Sequence, residues 1–145
     1  MPIVALLLFI TTQQGQPELP DGPGKATVQK ICTSCHTLAV VVSQRRTRPA
    51  WQKVADDMTA RGMNAEDQEV DAAVGYFTRF FGKINVNRGS AEEISTVLDL
   101  PAKDAAAIVK YREENGDFKT LDDLAKVPGL DAKKVESRKD RILLR

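Results

Sequence analysis

The chain has 145 residues and a formal net charge of +1, and this length allows one ordinary domain or two very small ones. Charged residues make up 28% and apolar residues 42%, a balance that excludes wholesale disorder. A net charge so close to zero argues against a protein built mainly to bind nucleic acid or anionic membrane. Two cysteines and one histidine are too few for a four-ligand zinc site or for a haem held by two histidines.

The N-terminal segment has features of an export signal. The apolar run at residues 3–10 is too short to cross a bilayer, which takes about 20 residues. No basic residue precedes the run and no clear cleavage site follows it, so a mis-assigned start codon and a buried strand are alternatives. Proline, glycine and polar residues at 13–24 predict a flexible lead-in. We therefore assign residues 1–21 to a signal-like segment and lead-in. We expect a periplasmic or otherwise exported protein, with membrane association left open.

Short helices are predicted in the N-terminal half. The first runs from about Lys25 into Cys32, residues 37–48 form a loop, and Pro49 suits the first turn of a second helix. One face of that second helix is apolar at helical spacing and carries Trp51, Val54, Ala55 and Met58. Asn64 can cap a third helix. The buried stripe of this third helix is Val70, Ala73, Val74, Phe77 and Phe81.

The C-terminal half is predicted to be helical as well. Capping boxes at Ser90–Glu93 and Thr120–Asp123 each begin a helix. A helix lies between them over about 103–115, and Asp131 caps a last helix that carries Val135 and Ile142. No alternating strand pattern of useful length appears. The fold class is therefore all-α, in two units at 22–82 and 84–145.

The one strong motif in the chain is Cys32-Thr33-Ser34-Cys35-His36. Cys-x-x-Cys-His is the attachment signature of c-type haem. On one helical turn, residues i, i+3 and i+4 share a face, so both thiols can form thioethers with the haem vinyl groups while the histidine binds iron. We therefore predict one covalently attached haem c, held by Cys32, Cys35 and His36.

Three other interpretations of the motif are weaker. A thioredoxin-like redox pair needs a βαβ context, whereas the pattern here is helical. A zinc site lacks ligands. A structural disulfide leaves the adjacent histidine unexplained. Because about 60 residues make a poor core on their own, a tethered haem would also staple the N-terminal unit together.

The second axial ligand of the iron has three candidates. A methionine thioether raises the reduction potential of a haem and suits electron transfer. Met58 shares the helix face of Trp51 and is the first choice, while Met63, just after the end of the helix, is the second. An open position or another ligand is the third, because methionine on an apolar face usually only packs.

Residues 28–82 resemble the short monohaem class I cytochrome c domains. The resemblance rests on the haem motif, the arginine-rich loop and the spacing of Trp51-x-x-Val54-x-x-x-Met58, Arg61-Gly62, Tyr76 and Phe77. A methionine in the tryptophan-containing helix recurs in that family, which adds to the case for Met58. The arginines of the loop would pair with haem propionates, face an acidic redox partner, or simply be solvated. These arginines are Arg45, Arg46 and Arg48.

Residues 84–144 resemble the tandem helix-hairpin-helix domain of the competence-type DNA receptor family. The residues that carry the resemblance are Ile84-Asn85-Val86-Asn87, Ser90-Ala-Glu-Glu93, Ala105-x-x-Ile108, Tyr111-Arg112-Glu-Glu-Asn115-Gly116-x-Phe118, Leu121-Asp-Asp-Leu124 and Val127-Pro-Gly129-Leu130. The resemblance implies sequence-independent binding of DNA. The same fold also serves as a protein-docking module.

The hairpin turns depart from the DNA-binding pattern. Such a hairpin presents backbone N–H groups to phosphates through a Gly-x-Gly turn. The turns here are Asp99-Leu100-Pro101 and Gly129-Leu130-Asp131, so carboxylates and a proline replace glycines. Residues 84–145 hold 12 basic and 12 acidic residues, although a local basic cluster falls on the last helix. The cluster comprises Lys133, Lys134, Arg138, Lys139 and Arg141. We therefore favour protein docking over DNA binding for this unit.

Together these features predict an exported monohaem cytochrome that transfers single electrons and performs no substrate bond chemistry. It would act with redox partner proteins, as a subunit or partner of a larger redox or photosynthetic complex. The helix-hairpin-helix unit would dock it there, for instance on a membrane complex. The alternative is a DNA-binding helix-hairpin-helix protein that carries a haem domain. A haem enzyme or gas sensor is disfavoured because no second histidine could serve as a distal acid or base.

Overall fold

A computed structural model describes residues 17–145, and the predicted signal-like run at 3–10 lies outside the described residues. The helices are α1 (Lys25–Cys32), α2 (Ala39–Val42), α3 (Arg48–Ala60), α4 (Asp67–Phe81), α5 (Ala91–Leu98), α6 (Ala102–Asn115) and α7 (Ala132–Glu136). Short 3-10 helices span Leu121–Lys126 and Lys139–Arg141, and two-residue strands are β1 (Ile84–Asn85) and β2 (Ile142–Leu143). The prediction of a mostly helical chain is confirmed. Within the described part of the chain, no helix is long and apolar enough to cross a membrane.

The N-terminal unit is built around α4. Helices α1 and α3 both pack on α4, and their buried residues form one cluster with Leu38 and Leu19. The predicted flexible lead-in differs from the structure at this point. Leu19 is buried in the cluster, and the Tyr76 hydroxyl donates a 2.6 Å hydrogen bond to the carbonyl oxygen of Pro20. A Pro- and Gly-rich segment can be held in place once one apolar side chain finds a core, and composition does not reveal that.

Two local expectations in this unit need correction. The predicted loop at 37–48 contains the one-turn helix α2. Helix α4 is capped by Glu66 and not by Asn64, because Glu66 and Glu69 form a reciprocal capping box. In that box the backbone N–H of Glu66 donates to the Glu69 carboxylate at 3.2 Å. A glutamate at the cap position is a less usual choice than asparagine, so sequence preference selected the wrong residue.

The C-terminal unit consists of two helical hairpins closed by a two-stranded parallel pair. The predicted caps at Ser90, Thr120 and Asp131 are present. The predicted last helix stops at Glu136, and Ile142 lies in β2, paired with Ile84 of β1. The pairing brings the two ends of the unit together. A long-range bridge of this kind leaves no periodic pattern in two-residue strands, so the sequence could not predict it.

A buried asparagine holds the ends of this unit. Asn87 is 5% exposed and donates from Nδ2 to the carbonyl oxygens of Phe118 and Leu144, at 2.9 Å each. Its Oδ1 accepts the backbone N–H of Phe118 at 2.8 Å. A buried amide that is satisfied on both sides specifies one arrangement of the three segments that it joins.

The two units contact each other through α4, α5 and several arginines. Arg141 donates to the carbonyl oxygens of Arg79 (3.2 Å) and Val97 (2.9 Å). Arg45 forms a 2.5 Å ion pair with Asp140. At the junction between the two units, the backbone N–H of Lys83 donates a 2.8 Å hydrogen bond to the carbonyl oxygen of Arg46.

Candidate functional sites: an apolar cavity and a basic hairpin

The N-terminal unit encloses a cavity of about 400 Å³ between α1, α3 and α4. Its walls are mostly aliphatic and aromatic, and include Ile31, Trp51, Val54 and Phe77. The residues of the Cys-x-x-Cys-His motif and both candidate methionines all line it: Cys32, Cys35, His36, Met58 and Met63. The structure therefore brings together every residue that the sequence assigned to the haem site.

The motif lies at the end of α1 and beyond it. Helix α1 stops at Cys32, so Cys35 and His36 are not on the same helical turn as the sequence analysis expected. Cys32 is half-buried, whereas Cys35 and His36 are exposed at the mouth of the cavity. Both cysteines are free thiols. The three side chains nevertheless line one cavity, because the chain bends at residues 33–36 before α2 begins.

The imidazole of His36 has one ring nitrogen engaged. Its Nδ1 lies 2.9 Å from the carbonyl oxygen of Thr37. Since a carbonyl can only accept, Nδ1 carries the proton in this contact, and in the neutral ring Nε2 keeps a free lone pair. A backbone carbonyl bound to one ring nitrogen is the usual way in which proteins orient a histidine that binds metal through the other.

Burial controls the chemistry of Cys32. Removal of the thiol from water raises its pKa to about 11. A thiol with so high a pKa is protonated at neutral pH and is a poor nucleophile. The thioredoxin-like interpretation of the motif therefore has no electrostatic support in this fold.

A single turn positions both methionines. At the end of α3 the backbone N–H of Met63 donates to the carbonyl oxygen of Met58 at 3.0 Å, and that of Gly62 donates to Thr59 at 2.9 Å. These two bonds define a Schellman motif, in which the residue at Gly62 must adopt a left-handed conformation; its φ is +99°. The side chains at the two ends of the longer bond commonly touch, which explains why Met58 and Met63 reach the same cavity.

The three arginines at the end of the predicted loop, Arg45, Arg46 and Arg48, do not line the cavity. Arg45 pairs with Asp140, Arg48 lies 3.7 Å from Asp71, and Arg46 stacks over Trp51 at 5.8 Å. Pairing with haem propionates was one of three roles left open for them, and their positions outside the cavity wall do not support it. Four lining residues were not singled out from the sequence: Ile31, Leu38, Val40 and Val41. The apolar run 38–42 inside a predicted loop was the available signal.

The first hairpin of the C-terminal unit is blocked as a phosphate site. Asp99 occupies the turn with φ of +52°, the one positive φ at a non-glycine position among residues 17–145. Its carboxylate lies 3.6 Å from Arg138. Pro101 caps α6 and has no N–H to offer. A carboxylate and a proline at this turn oppose phosphate binding, through charge repulsion and through the loss of one N–H donor.

The second hairpin has a different surface. Gly129 has φ of +77°, and no atom lies within 4 Å of the position that a Cβ would take. Asp131 caps α7 by accepting the backbone N–H groups of Lys133 (2.9 Å) and Lys134 (3.3 Å). Within the described residues neither lysine side chain has an ion pair, so two ammonium groups follow an open glycine turn.

Comparisons with known proteins concern mainly this C-terminal unit. A helix-hairpin-helix motif family matches residues 80–143. ComE operon protein 1 of Bacillus subtilis is 37% identical over 62 residues, which are 43% of this chain and 30% of that protein. Endonuclease/exonuclease/phosphatase family domain-containing protein 1 of Homo sapiens is 40% identical over 60 residues, 41% of this chain and 10% of that protein. The chain thus spans a third or less of these two relatives. No solved structure gives a significant match.

The prediction of an electron-carrying cytochrome is wrong. The helix-hairpin-helix match and the similarity to ComE operon protein 1 favour the alternative, a DNA-binding helix-hairpin-helix protein. The matches support neither the predicted redox partners nor the docking role in a redox or photosynthetic complex. Residues 32–63 suggested the cytochrome, whereas the family match lies in the hairpins at residues 80–143. The covalent haem and its ligands are separate predictions that the matches do not test.

A further relative shows the family. An uncharacterized protein of Haemophilus influenzae is 33% identical over 110 residues, which are 75% of this chain and 90% of that protein. The similarity thus covers nearly the whole length of the relative. The chain therefore belongs to the same family as this relative, and its residues 80–143 match the helix-hairpin-helix motif.

Proposed function

We propose that this protein binds DNA without sequence specificity, through the second hairpin of its C-terminal unit. The observation that carries the proposal is the open turn at Gly129 followed by two lysines, Lys133 and Lys134, without ion pairs among the described residues. Ammonium groups that are free to meet phosphates release counterions on binding, and this supplies the sequence-independent part of DNA affinity. The protein acts as a binding protein and not as an enzyme.

The two hairpins contribute unequally. The Asp99 carboxylate of the first hairpin would repel phosphate, and Arg138 beside it is already paired. The N-terminal amides of α7 are capped by Asp131, so the contact comes from the lysine side chains of the second hairpin. Because the unit as a whole is neutral and two lysines make the contact, binding is weak, and its log–log salt slope is about −2.

Fluorescence anisotropy with a labelled DNA duplex, titrated at several salt concentrations, tests the proposal. We expect Lys133→Ala/Lys134→Ala to weaken binding about tenfold at low salt and to reduce the log–log salt slope by about 2. The matched control is Lys53→Ala/Lys110→Ala, which removes the same charge from two lysines that pair within their own helices. No binding by the unmodified protein at low salt contradicts the proposal, and so does an equal loss in both double variants.

We also propose that the N-terminal cavity holds one haem c, attached through Cys32 and Cys35 with His36 as the proximal iron ligand. The residues present fit the group in three respects. The cavity is apolar and within the usual range of ligand sites, roughly 300–1,000 Å³. Both thiols line it, and His36 keeps Nε2 free while Nδ1 is bound. No reaction is assigned to the haem. Because haem c is attached after export, the protein would be periplasmic or otherwise exported.

Met58 remains the proposed second iron ligand, with Met63 as second choice. A thioether ligand gives the oxidised haem a weak band at the red end of the visible spectrum. The protein, produced in a strain that matures c-type cytochromes, should retain haem on a denaturing gel and show this band. We expect Met58→Ala to lose the band and Met63→Ala, the matched control, to keep it. Absence of haem from the gel contradicts the covalent attachment. Loss of the band in Met63→Ala alone would identify Met63 as the second iron ligand.

A further inference from the structure

The cavity of the N-terminal unit is apolar along its walls and cationic at one end. Among the described residues that line it, Arg61 is the one lysine or arginine. Its side chain is exposed, and no ion pair to it is present within residues 17–145. A guanidinium group at the mouth of an apolar cavity is suited to a ligand that has an apolar body and an anionic edge.

The backbone keeps Arg61 at this end. Arg61 is the C-cap of α3, and its N–H donates to the carbonyl oxygen of Met58 at 3.1 Å. The next residue, Gly62, turns the chain so that Met63 comes back to the cavity. Arg61 therefore lies between the two candidate iron ligands in sequence, and the same turn that positions them also positions its guanidinium group.

The other arginines around this unit are engaged elsewhere. Arg45 binds Asp140 and the carbonyl oxygen of Phe80, and Arg48 pairs with Asp71. Arg46 bonds to Gln44 and stacks on Trp51, and Arg79 lies over Phe80 at 5.7 Å. None of these four lines the cavity. A carboxylate at the cavity mouth would therefore meet Arg61 alone among the arginines of this unit.

We infer that Arg61 binds the carboxylate edge of the cavity ligand. With haem c as that ligand, an inference that rests on the attachment proposed above, Arg61 forms a bidentate ion pair with a haem propionate. Two parallel N–H···O bonds from a guanidinium to a carboxylate fix the orientation as well as the charge, which a lysine ammonium cannot do. Arg61 is thus a positioning residue that sets how the macrocycle edge lies against the end of α3.

The test uses the full chain, produced with the c-type maturation system. Arg61→Gln and Arg61→Lys are compared with Arg48→Gln, a matched control on an arginine outside the cavity. The three measurements are haem retained on a denaturing gel, the propionate-bending band in the resonance Raman spectrum, and the reduction midpoint potential. We expect haem in all variants. The Raman band should shift in both Arg61 variants and stay unchanged in Arg48→Gln.

The midpoint potential gives a second readout. Loss of a cation beside the haem stabilises the more positive oxidised iron, so Arg61→Gln should lower the potential, while Arg61→Lys should leave it closer to that of the unmodified protein. Absence of haem from the unmodified protein overturns the attachment itself. Haem retained with an unshifted band and potential in Arg61→Gln overturns the role of Arg61 alone. If Arg61→Gln fails to fold, the Raman spectrum of Arg61→Lys provides the test. A propionate-bending band that is unchanged in Arg61→Lys overturns the inference.

Discussion

The two units are made of helices of similar length, but their cores close differently. In the C-terminal unit, helices α5 and α6 bury their apolar faces against each other, and Val97 is 1% exposed. In the N-terminal unit, the corresponding face of α3 borders a cavity of about 400 Å³, and Val54 is only half-buried. An amphipathic face thus indicates that a helix has a partner, but not whether that partner is another helix or a ligand.

The difference implies different sources of stability. A closed helical core gains free energy from burial of side chain against side chain. A unit of about 60 residues with a cavity at its centre forgoes part of that gain and depends on what fills the cavity. We therefore expect the C-terminal unit to be stable by itself and the N-terminal unit to be strengthened by its ligand. The following predictions test this comparison.

The largest expected effect is at the junction of the units. A Cβ added at Gly82 would lie 1.9 Å from the carbonyl oxygen of Thr78, and 3.3 Å from Val97 of the other unit. Since backbone must move to relieve such an overlap, Gly82→Ala should lower the free energy of unfolding by about 3 kcal/mol, measured by urea denaturation. Gly75→Ala, a glycine in α4 with no atom within 4 Å of its added Cβ, is the control and should not destabilise. A neutral result at Gly82 would mean that the junction yields easily.

A matched pair of valines measures the difference in packing directly. Val97→Ala removes two methyl groups from a closed core and should cost about 2 kcal/mol. Val54→Ala removes the same groups from the cavity wall, and should cost under about 1 kcal/mol in a ligand-free background made with Cys32→Ser/Cys35→Ser. Equal losses in urea denaturation would show that the cavity collapses in solution.

The alkaline limit of stability should depend on the N-terminal unit. Burial, and secondarily the charge of Asp21, raises the pKa of Tyr76 above its usual value of 10.0. The stabilisation is therefore complete below pH 10 and is lost as the pH rises through the higher folded-state pKa. Tyr76→Phe should cost about 1 kcal/mol at neutral pH, through the lost bond to Pro20, and should flatten the alkaline loss. An unchanged alkaline slope in thermal denaturation would contradict this assignment.

The smallest effect is expected at the acid limit, in the C-terminal unit. The Lys126 ammonium, together with the backbone N–H groups of Thr120 and Lys119, holds the pKa of Asp123 well below its usual value of 3.8. The stabilisation is present above pH 3.8 and is lost as the pH falls towards the folded-state pKa. Asp123→Asn should make acid unfolding of this unit less steep. An acid slope in Asp123→Asn equal to that of the unmodified protein would contradict this assignment.

Local signals were read correctly where a short-range contact decides the structure. The boxes at Ser90 and Thr120 and the cap at Asp131 are formed within three or four residues, so sequence alone predicted them. The predicted cap of α4 was wrong, because Glu66 and Glu69 form a capping box. Preferences of single residues do not favour glutamate at the cap position. The prediction that Ile142 belongs to the last helix was wrong, because Ile142 pairs with Ile84, which lies at the other end of the unit.

The residues of the candidate sites also differ in whether the sequence alone could predict them. The motif residues Cys32, Cys35 and His36 and both methionines could be named from their spacing, and the structure brings them to one cavity. The position of Arg61 could not be ranked above that of the loop arginines, because ion pairs such as Arg45 with Asp140 join residues of different units. Similarly, the pairing of Asp99 with Arg138, which distinguishes the two hairpins, is a tertiary contact.

The amino-acid sequence was enough to predict the helical class, the caps at Ser90, Thr120 and Asp131, and the chemistry available at the Cys-x-x-Cys-His motif and the hairpin turns. These follow from interactions within a few residues, whose geometry the helix imposes. Packing of the whole chain was needed to show that the face of α3 borders a cavity, that Leu19 joins the core around α4, and which arginines among the described residues have no ion pair. Such features depend on contacts between side chains that are distant in sequence, and these contacts leave no periodic pattern in the sequence.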